Sequence, residues 1–464
     1  MLPKAPKAAA SLGVATPMKI LPRIPKIRAI GKITALRATN FSLQLARSSG
    51  GRAGPRSLLK RQAKKISRAR NFSRAGHFGK SMTSMECSEM RITDVRAIVL
   101  RLPSISTAAD GTQDDLIIVV ETDAGISGYG EVDTAPLVGK AIVDAYMSHG
   151  TCYGLREVVV GKDPFDYEQI WQEMWAKTYY YGRFGPVLHV MSGIDMALWD
   201  IMGKATGMPV HKLLGGSHCD RVRPYASALM PETTDEVNRL VETQVQQGFT
   251  AIKLGWGPLG YDVRRDAELV RAARQAAGHQ TELMIDIGKR YRFKSALYMA
   301  RACEQQNVYW LEEPFPAEDL DGYRRLADAS SVRIATGEEE SGRLAFARLI
   351  SETGIDVVQP DISRCGGLTE MKKIATLAAD ANILCVPHAF KTGILVAATI
   401  QFIASIPHAP FLEFSVTESG IRKEVLARPF EQKDGYIEVP QSPGLGIELN
   451  PDVVRKYGFQ AAAD

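Results

Sequence analysis

No apolar run in the 464 residues approaches the roughly 18 needed to cross a bilayer, which excludes a membrane-spanning helix. Cysteine is sparse. The six stand at 87, 152, 219, 303, 365 and 385, with no CxxC and no paired spacing, which argues against structural zinc and for a reducing compartment. Acidic residues are nearly missing from the first ninety positions. Glu86 and Glu89 face nineteen Lys and Arg there, a charge of +17. The whole chain carries only +5, so −12 belongs to residues 91–464, and the pI of about 8.7 reflects the beginning of the chain alone. A nucleic-acid role would need surplus basic residues on the folded body, where there are none.

Residues 1–90 show no sustained periodicity and are read as a basic, disordered extension. An organellar transit peptide, a nucleic-acid or membrane-binding arm, and a translated stretch ahead of a start at Met85 or Met90 all fit. The expected location is cytoplasmic, or organellar if the segment is a transit peptide.

From residue 91 the chain becomes patterned. ITDVRAIVLRL, DLIIVVETD and GISGYGEV read as three strands, the last two joined by a turn at DAG (123–125). Helical spacing follows over 137–148, 165–178 and 190–205. This is a small α+β domain over 91–215, whose first interstrand loop (104–115) is polar and suited to carry specificity. Tyr179, Tyr180, Tyr181 and Arg183 are expected to pack between domains.

Five short apolar runs then each end in an ionisable residue: Asp286, Glu312, Glu338, Asp361 and His388. The steps between them are 26, 26, 23 and 27 residues, the length of a strand-helix repeat. With an earlier strand at VRPYASAL, a second holding Lys253 and a last one at FLEF holding Glu413, the repeats close into an α/β barrel over 216–420. Its strand ends share one catalytic face. Three carboxylates on consecutive strands repel one another unless a cation joins them, and an all-oxygen set suits Mg²⁺ better than Zn²⁺. Asp361 and His388 end neighbouring strands, so the carboxylate can orient the ring as a general base. Metal and base together suit proton abstraction from a carbon acid. Glu313, next to Glu312, points to the other side of its strand and pairs with a base in the barrel wall.

The ordered series resembles the mandelate racemase/muconate lactonizing enzyme group of the enolase superfamily. It runs through Asp286, Glu312 in LEEP, Glu338 after Gly337, Asp361 after Pro360, Gly366 and Gly367, and His388 after Pro387. AIKLGWGP fits the group's second barrel strand, and residues 192–216 are similar to its linker into the barrel. The resemblance covers roughly residues 90–457. It implies a (β/α)7β-type TIM barrel with a capping domain built from the N-terminal part and a returning C-terminal segment (421–464). It also implies Mg²⁺ on Asp286, Glu312 and Glu338, with His388 and Asp361, Lys253 and Glu413 as catalytic residues. The partner is then a small sugar-acid substrate, with no nucleic acid and no membrane, and the assembly a homo-oligomer.

One departure bears on the chemistry. The family pattern has a second lysine two residues after the one matched by Lys253, and this chain has Gly255. Racemisation needs an acid or base on both faces of the substrate, whereas loss of water needs one. The expected activity is an acid-sugar dehydratase giving a 2-keto-3-deoxy acid. The alternatives are a racemase, epimerase or cycloisomerase on the same scaffold, a non-catalytic binding protein, and an RNA-binding enzyme using the basic segment. Lys289 and Arg290 stand in the loop after Asp286, within expected reach of an acidic substrate.

Overall fold

In the computed structural model, which describes residues 90–459, the chain first lays down an antiparallel sheet. The expectations for residues 1–89 lie outside the described residues. β1 (Ile92–Arg101), β2 (Asp114–Thr122) and β3 (Ser127–Val132) pair in that order. The middle strand is apolar on both faces because both are covered. Leu116, Ile118 and Val120 join the cap's own core, while Ile117 and Val119 join that of the barrel.

Four helices complete this layer: α1 (Pro136–Asp144), α2 (Leu155–Val159), α3 (Tyr167–Lys177) and α4 (Pro186–Thr206). The first ends four residues short of its expected limit of 148. Ala145 turns extended, and Tyr146 and Met147 beyond it gain no burial. α2 was not anticipated, five residues being too few to show a period. α4 starts earlier than expected, at Pro186, a residue well suited to a helix's first turn. It lies so close to β3 that a Cβ on Gly130 would stand 1.9 Å from the Gly193 carbonyl oxygen, so only glycine fits. The Tyr179–Tyr181 triplet does not pack between domains. Tyr180 is 76% exposed, and Tyr179, Tyr181 and Phe184 are exposed beside it.

After the short α5 (Val210–Leu213) and β4 (Arg221–Val222), strand and helix alternate. The order is β5 (Pro224–Leu229), α6 (Thr234–Gln246), β6 (Ala251–Gly255), α7 (Val263–Ala277), β7 (Glu282–Asp286) and α8 (Phe293–Gln305). It continues with β8 (Trp310–Glu312), α9 (Leu320–Ala329), β9 (Arg333–Thr336), α10 (Arg343–Thr353), β10 (Val357–Val358) and α11 (Gly367–Asp380). β11 (Leu384–Cys385), α12 (Gly393–Ala404) and β12 (Leu412–Ser415) end the series. Local chemistry sets the boundaries. Thr233 and Glu236 form a capping box at the start of α6, and Asp262 caps α7.

All eight strands from β5 to β12 are parallel and curl into one sheet, with β12 paired to β5. Among the described residues the ladder is open at one seam, between β11 and β12. There the Ala389 N–H reaches the Glu413 side chain instead of a strand. The inside of the curl is filled by Tyr225, Trp310 and Phe411 in edge-to-face contact, with smaller residues around them. This is a packed floor, and the ionisable residues stand one layer above it.

The last part of the chain adds α13 (Gly420–Glu424), β13 (Ile437–Glu438) on β4, and α14 (Pro451–Tyr457). It then returns to the cap, where Phe459 donates its N–H to the Val99 carbonyl at 2.9 Å.

Candidate active site

Asp286 and Glu312 are direct neighbours in register at the ends of β7 and β8. Glu338 follows β9 across Gly337, whose φ of +127° turns the chain back over the sheet. One oxygen from each of the three carboxylates lies within 4.8 Å of the others, and all three residues are buried. The Trp310 indole donates to Glu312 Oε2 at 2.8 Å, and the Gly288 N–H to Asp286 Oδ1 at 2.8 Å. Burial pushes the Asp286 carboxyl far above its usual range, and crowding by Glu312 and Glu338 adds to this against the opposing pull of Lys253. Three hard oxygen donors, dry and mutually repelling, fit a divalent metal ion. Glu313 has the expected kind of partner in Lys289, at 3.7 Å, and accepts from Thr336 at 3.2 Å.

Asp361 and His388 bridge as neighbouring extended residues, and His388 Nδ1 meets Asp361 Oδ2 at 2.5 Å. The other Asp361 oxygen accepts the Ser363 N–H at 2.6 Å and its hydroxyl at 2.5 Å, so the carboxylate cannot swing. With Nδ1 engaged, Nε2 points at the opening, 3.5 Å from Glu338 and 3.9 Å from Glu413. Burial would lower the imidazole pKa, but Glu338, Glu413 and the bond to Asp361 raise it to about 10. A metal ion held by Glu338 would oppose that rise.

Lys253, expected at the strand end facing substrate, is buried between two carboxylates. Its Nζ lies 2.6 Å from Glu312 Oε1 and 2.8 Å from Glu413 Oε1. Glu413 also accepts from Ser227 Oγ and from Ala389 N–H, each at 2.8 Å. Against burial, Lys253 and His388 hold the Glu413 carboxyl down to about 2. Gly255 now has a structural reason. It is paired with Asp286, and a Cβ at 255 would stand 2.6 Å from the Asp286 Cβ. A side chain there would require Asp286 to shift.

Arg364 and Asp133, which the sequence reading missed, complete the site. Arg364 donates from Nη2 and Nε to Asp133 of the cap and from Nη1 to the Glu338 carbonyl at 3.1 Å, and lies 3.9 Å from the carboxylates of Glu338 and Asp361. Asp133, Asp361 and His388 also stand near enough to hold a metal, but Arg364 already neutralises that corner. Lys289 and Arg290 do not reach the site as anticipated. Lys289 pairs with Glu339 at 2.7 Å, and Arg290 donates to the carbonyls of Gly257 and Leu259. The groups described enclose a cavity of about 220 Å³, roofed by Ala109 and Gly111 from the cap loop and walled by Leu229, Trp256 and Phe390.

Two family models match the chain. Residues 88–215 match the mandelate racemase/muconate lactonizing enzyme N-terminal domain, and residues 236–453 the enolase C-terminal domain-like family. The D-galactarolactone cycloisomerase of Agrobacterium fabrum is 33% identical over 386 residues, covering 79% of this chain and 99% of that one. The solved 3,6-anhydro-D-galactonate cycloisomerase of Zobellia galactanivorans superposes with a TM-score of 0.73 at 33% identity, covering 80% of this chain and all of that one. A Rhodobacter sphaeroides protein of the mandelate racemase type gives 0.75 at 31% identity, over 81% of this chain and 97% of its own.

Proposed function

The chain belongs to the mandelate racemase/muconate lactonizing enzyme group of the enolase superfamily, and from that premise we propose that it catalyses β-elimination from a sugar acid by taking the proton α to the carboxylate. The observation that carries this reading is the one-sided supply of base. His388, oriented by Asp361, faces the carboxylate trio, while Lys253 is tied between Glu312 and Glu413. A lysine held as a cation by two carboxylates binds and polarises a substrate carboxylate, and Gly255 adds no second base.

Asp286, Glu312 and Glu338 would hold Mg²⁺, which when bound supplies a Lewis acid that acidifies the α-proton of a nearby carboxylate. His388 Nε2 receives that proton, and Asp361 keeps Nδ1 protonated so that Nε2 is the basic nitrogen. The C–O bond at the β-carbon then breaks, its electron pair leaves with the oxygen, and the resulting enol becomes the 2-keto acid.

The leaving group distinguishes two reactions. We favour a ring oxygen, which opens a lactone or anhydro ring and gives an isomer, because two relatives at 33% identity are sugar-acid cycloisomerases. Loss of water from an open-chain acid is the second reading, since the same single base serves it. The test is to incubate Mg²⁺-loaded protein with sugar-acid lactones, anhydro acids and open-chain aldonic acids in deuterated water. The favoured reading expects a product with the substrate's atoms and one deuteron on the carbon next to the new carbonyl. A product lighter by one water selects the dehydratase. Exchange at the α-carbon without β-cleavage would replace both with a racemase.

A further inference from the structure

We propose that the cavity admits a single carboxylate, so that its substrates are monoanionic sugar acids whose far end is uncharged and lies against Trp256 and Phe390. Open-chain dicarboxylates of the same carbon skeleton are rejected. This rests on the reading of the site as one for a sugar acid.

Charge is the first argument. The cavity is lined by four carboxylates, Asp133, Asp286, Glu338 and Glu413, by two cations, Lys253 and Arg364, and by His388, whose Nε2 must be neutral to act as the base. Both cations are already engaged, Lys253 with Glu312 and Glu413 and Arg364 with Asp133. A divalent ion on the trio brings the lining close to neutral, and one substrate carboxylate beside Lys253 completes the site. A second carboxylate would enter a cavity of about 220 Å³ with no lysine or arginine of the lining free to pair with it. Desolvating an ion without a partner is strongly unfavourable.

The far wall offers nothing to change that balance. Between β1 and β2 the cap loop reads LPSISTAADGTQ (102–113), whose one charged residue is Asp110, itself negative. It gives the cavity Ala109 and Gly111. Lys289 and Arg290 sit over the Trp256 ring at 4.8 and 5.7 Å but are absent from the lining and are tied to Glu339 and to backbone carbonyls.

Trp256 is held deliberately in place. It occupies the left-handed region at φ +56°, uncommon for a bulky residue. Gly288 leaves room for it, since a Cβ there would stand 2.9 Å from the indole. A half-buried indole presents a flat apolar face, complementary to the C–H face of a sugar ring, and carries no charge to pair with a carboxylate.

The experiment measures binding of three probes to the Mg²⁺-loaded full chain by calorimetry: D-galactarolactone, D-galactonate and D-galactarate. The first two carry one carboxylate and the third carries two. The proposal expects galactarate to bind at least tenfold more weakly than either monoanion. Leu229→Arg, which adds a cation to the cavity wall, should close that gap by tenfold or more, with unchanged circular dichroism showing that the fold is kept. Galactarate binding as tightly as the monoanions overturns the proposal and leaves the sugar-acid reading standing. A correctly folded Leu229→Arg that leaves the ratio unmoved also overturns it. Absence of binding by all three overturns the proposal together with the reading on which it rests.

Discussion

The strand-end placement of the candidate site's residues was readable because each ends an apolar run and the runs recur every 23 to 27 positions. Such a pattern shows where a side chain is presented but not what it meets. Lys253 illustrates the limit, because its two partners lie 59 and 160 positions away on other strands. Arg364 and Asp133 are 231 positions apart, and neither lies in a local motif that signals the contact. Two substitutions separate the roles. His388→Asn should abolish turnover and α-proton exchange together, a loss on the order of 10³-fold or more, since the base itself is removed. NMR in deuterated water would show it, and exchange at the parent rate would refute the assignment. Lys253→Met leaves Glu312 and Glu413 buried without their shared cation, a change of about 3–5 kcal/mol for a broken buried pair. A metal ion on Glu312 offsets part of that charge. The melting temperature should therefore fall more in EDTA than in Mg²⁺, and an equal fall in both would place no metal at Glu312.

At the level of elements, strand and helix order was legible from period alone, and helix ends were not. Ends depend on what the next residue can bury, as the early stop of α1 at Asp144 shows. The clasp between α4 and α11 was invisible for the same reason. Ser192 accepts the Gly366 N–H at 2.8 Å, Asp195 accepts the Thr369 N–H at 3.0 Å, and Trp199 donates to Thr369 Oγ1 at 2.9 Å. Gly366 and Gly367 permit this approach, since a Cβ at 367 would stand 2.3 Å from Asp195 Oδ2. The clasp fixes the loop that carries Asp361 and Arg364, so its stability bears on the site. Burial raises the Asp195 carboxyl to about 7, partly opposed by Thr369. Its unfolded value is about 3.9, so the folded state holds the extra proton between about pH 4 and 7. Stability contributed by this group then falls as pH rises through that window, by up to roughly 4 kcal/mol. Asp195→Asn should remove the slope, and melting curves from pH 4 to 8 should diverge from the parent's as pH increases. Parallel curves would mean that the N-terminus of α11 stabilises the carboxylate fully.

For the whole molecule, the two-layer plan of cap and barrel was legible from the switch between sheet-like and barrel-like periods. The junction between them was not, being a buried polar network with members from both layers. Lys391, three residues past His388, donates to the carbonyls of Gly111 at 2.7 Å and Asp114 at 3.0 Å and lies 3.5 Å from Asp133. Glu131 of the cap accepts the N–H groups of Thr392 and Leu395 at the start of α12. Lys391→Met should free the cap loop, making it the first site of limited proteolysis and raising KM more than it lowers kcat. A loop as resistant as the parent's would show that Lys391 is not what holds it.

The machinery of the site draws on only part of the chain. The A. fabrum relative is matched over 99% of its length and the Z. galactanivorans structure over all of its own, using only 79% and 80% of this chain. The matched family models begin at residue 88. The charge divides near the same place, +17 on residues 1–90 against −12 on the remainder. A protein of residues 90–464 should therefore fold, keep its Mg²⁺ dependence and turn over substrate within about twofold of the full chain, since every group of the site lies past residue 130 and its roof past residue 100. Its charge should reverse, so that it binds an anion exchanger at neutral pH where the full chain does not. Steady-state kinetics and ion-exchange elution of the two forms read both outcomes. A shortened protein that is insoluble, or folded but more than tenfold slower, would mean that the basic segment serves the fold or the site directly.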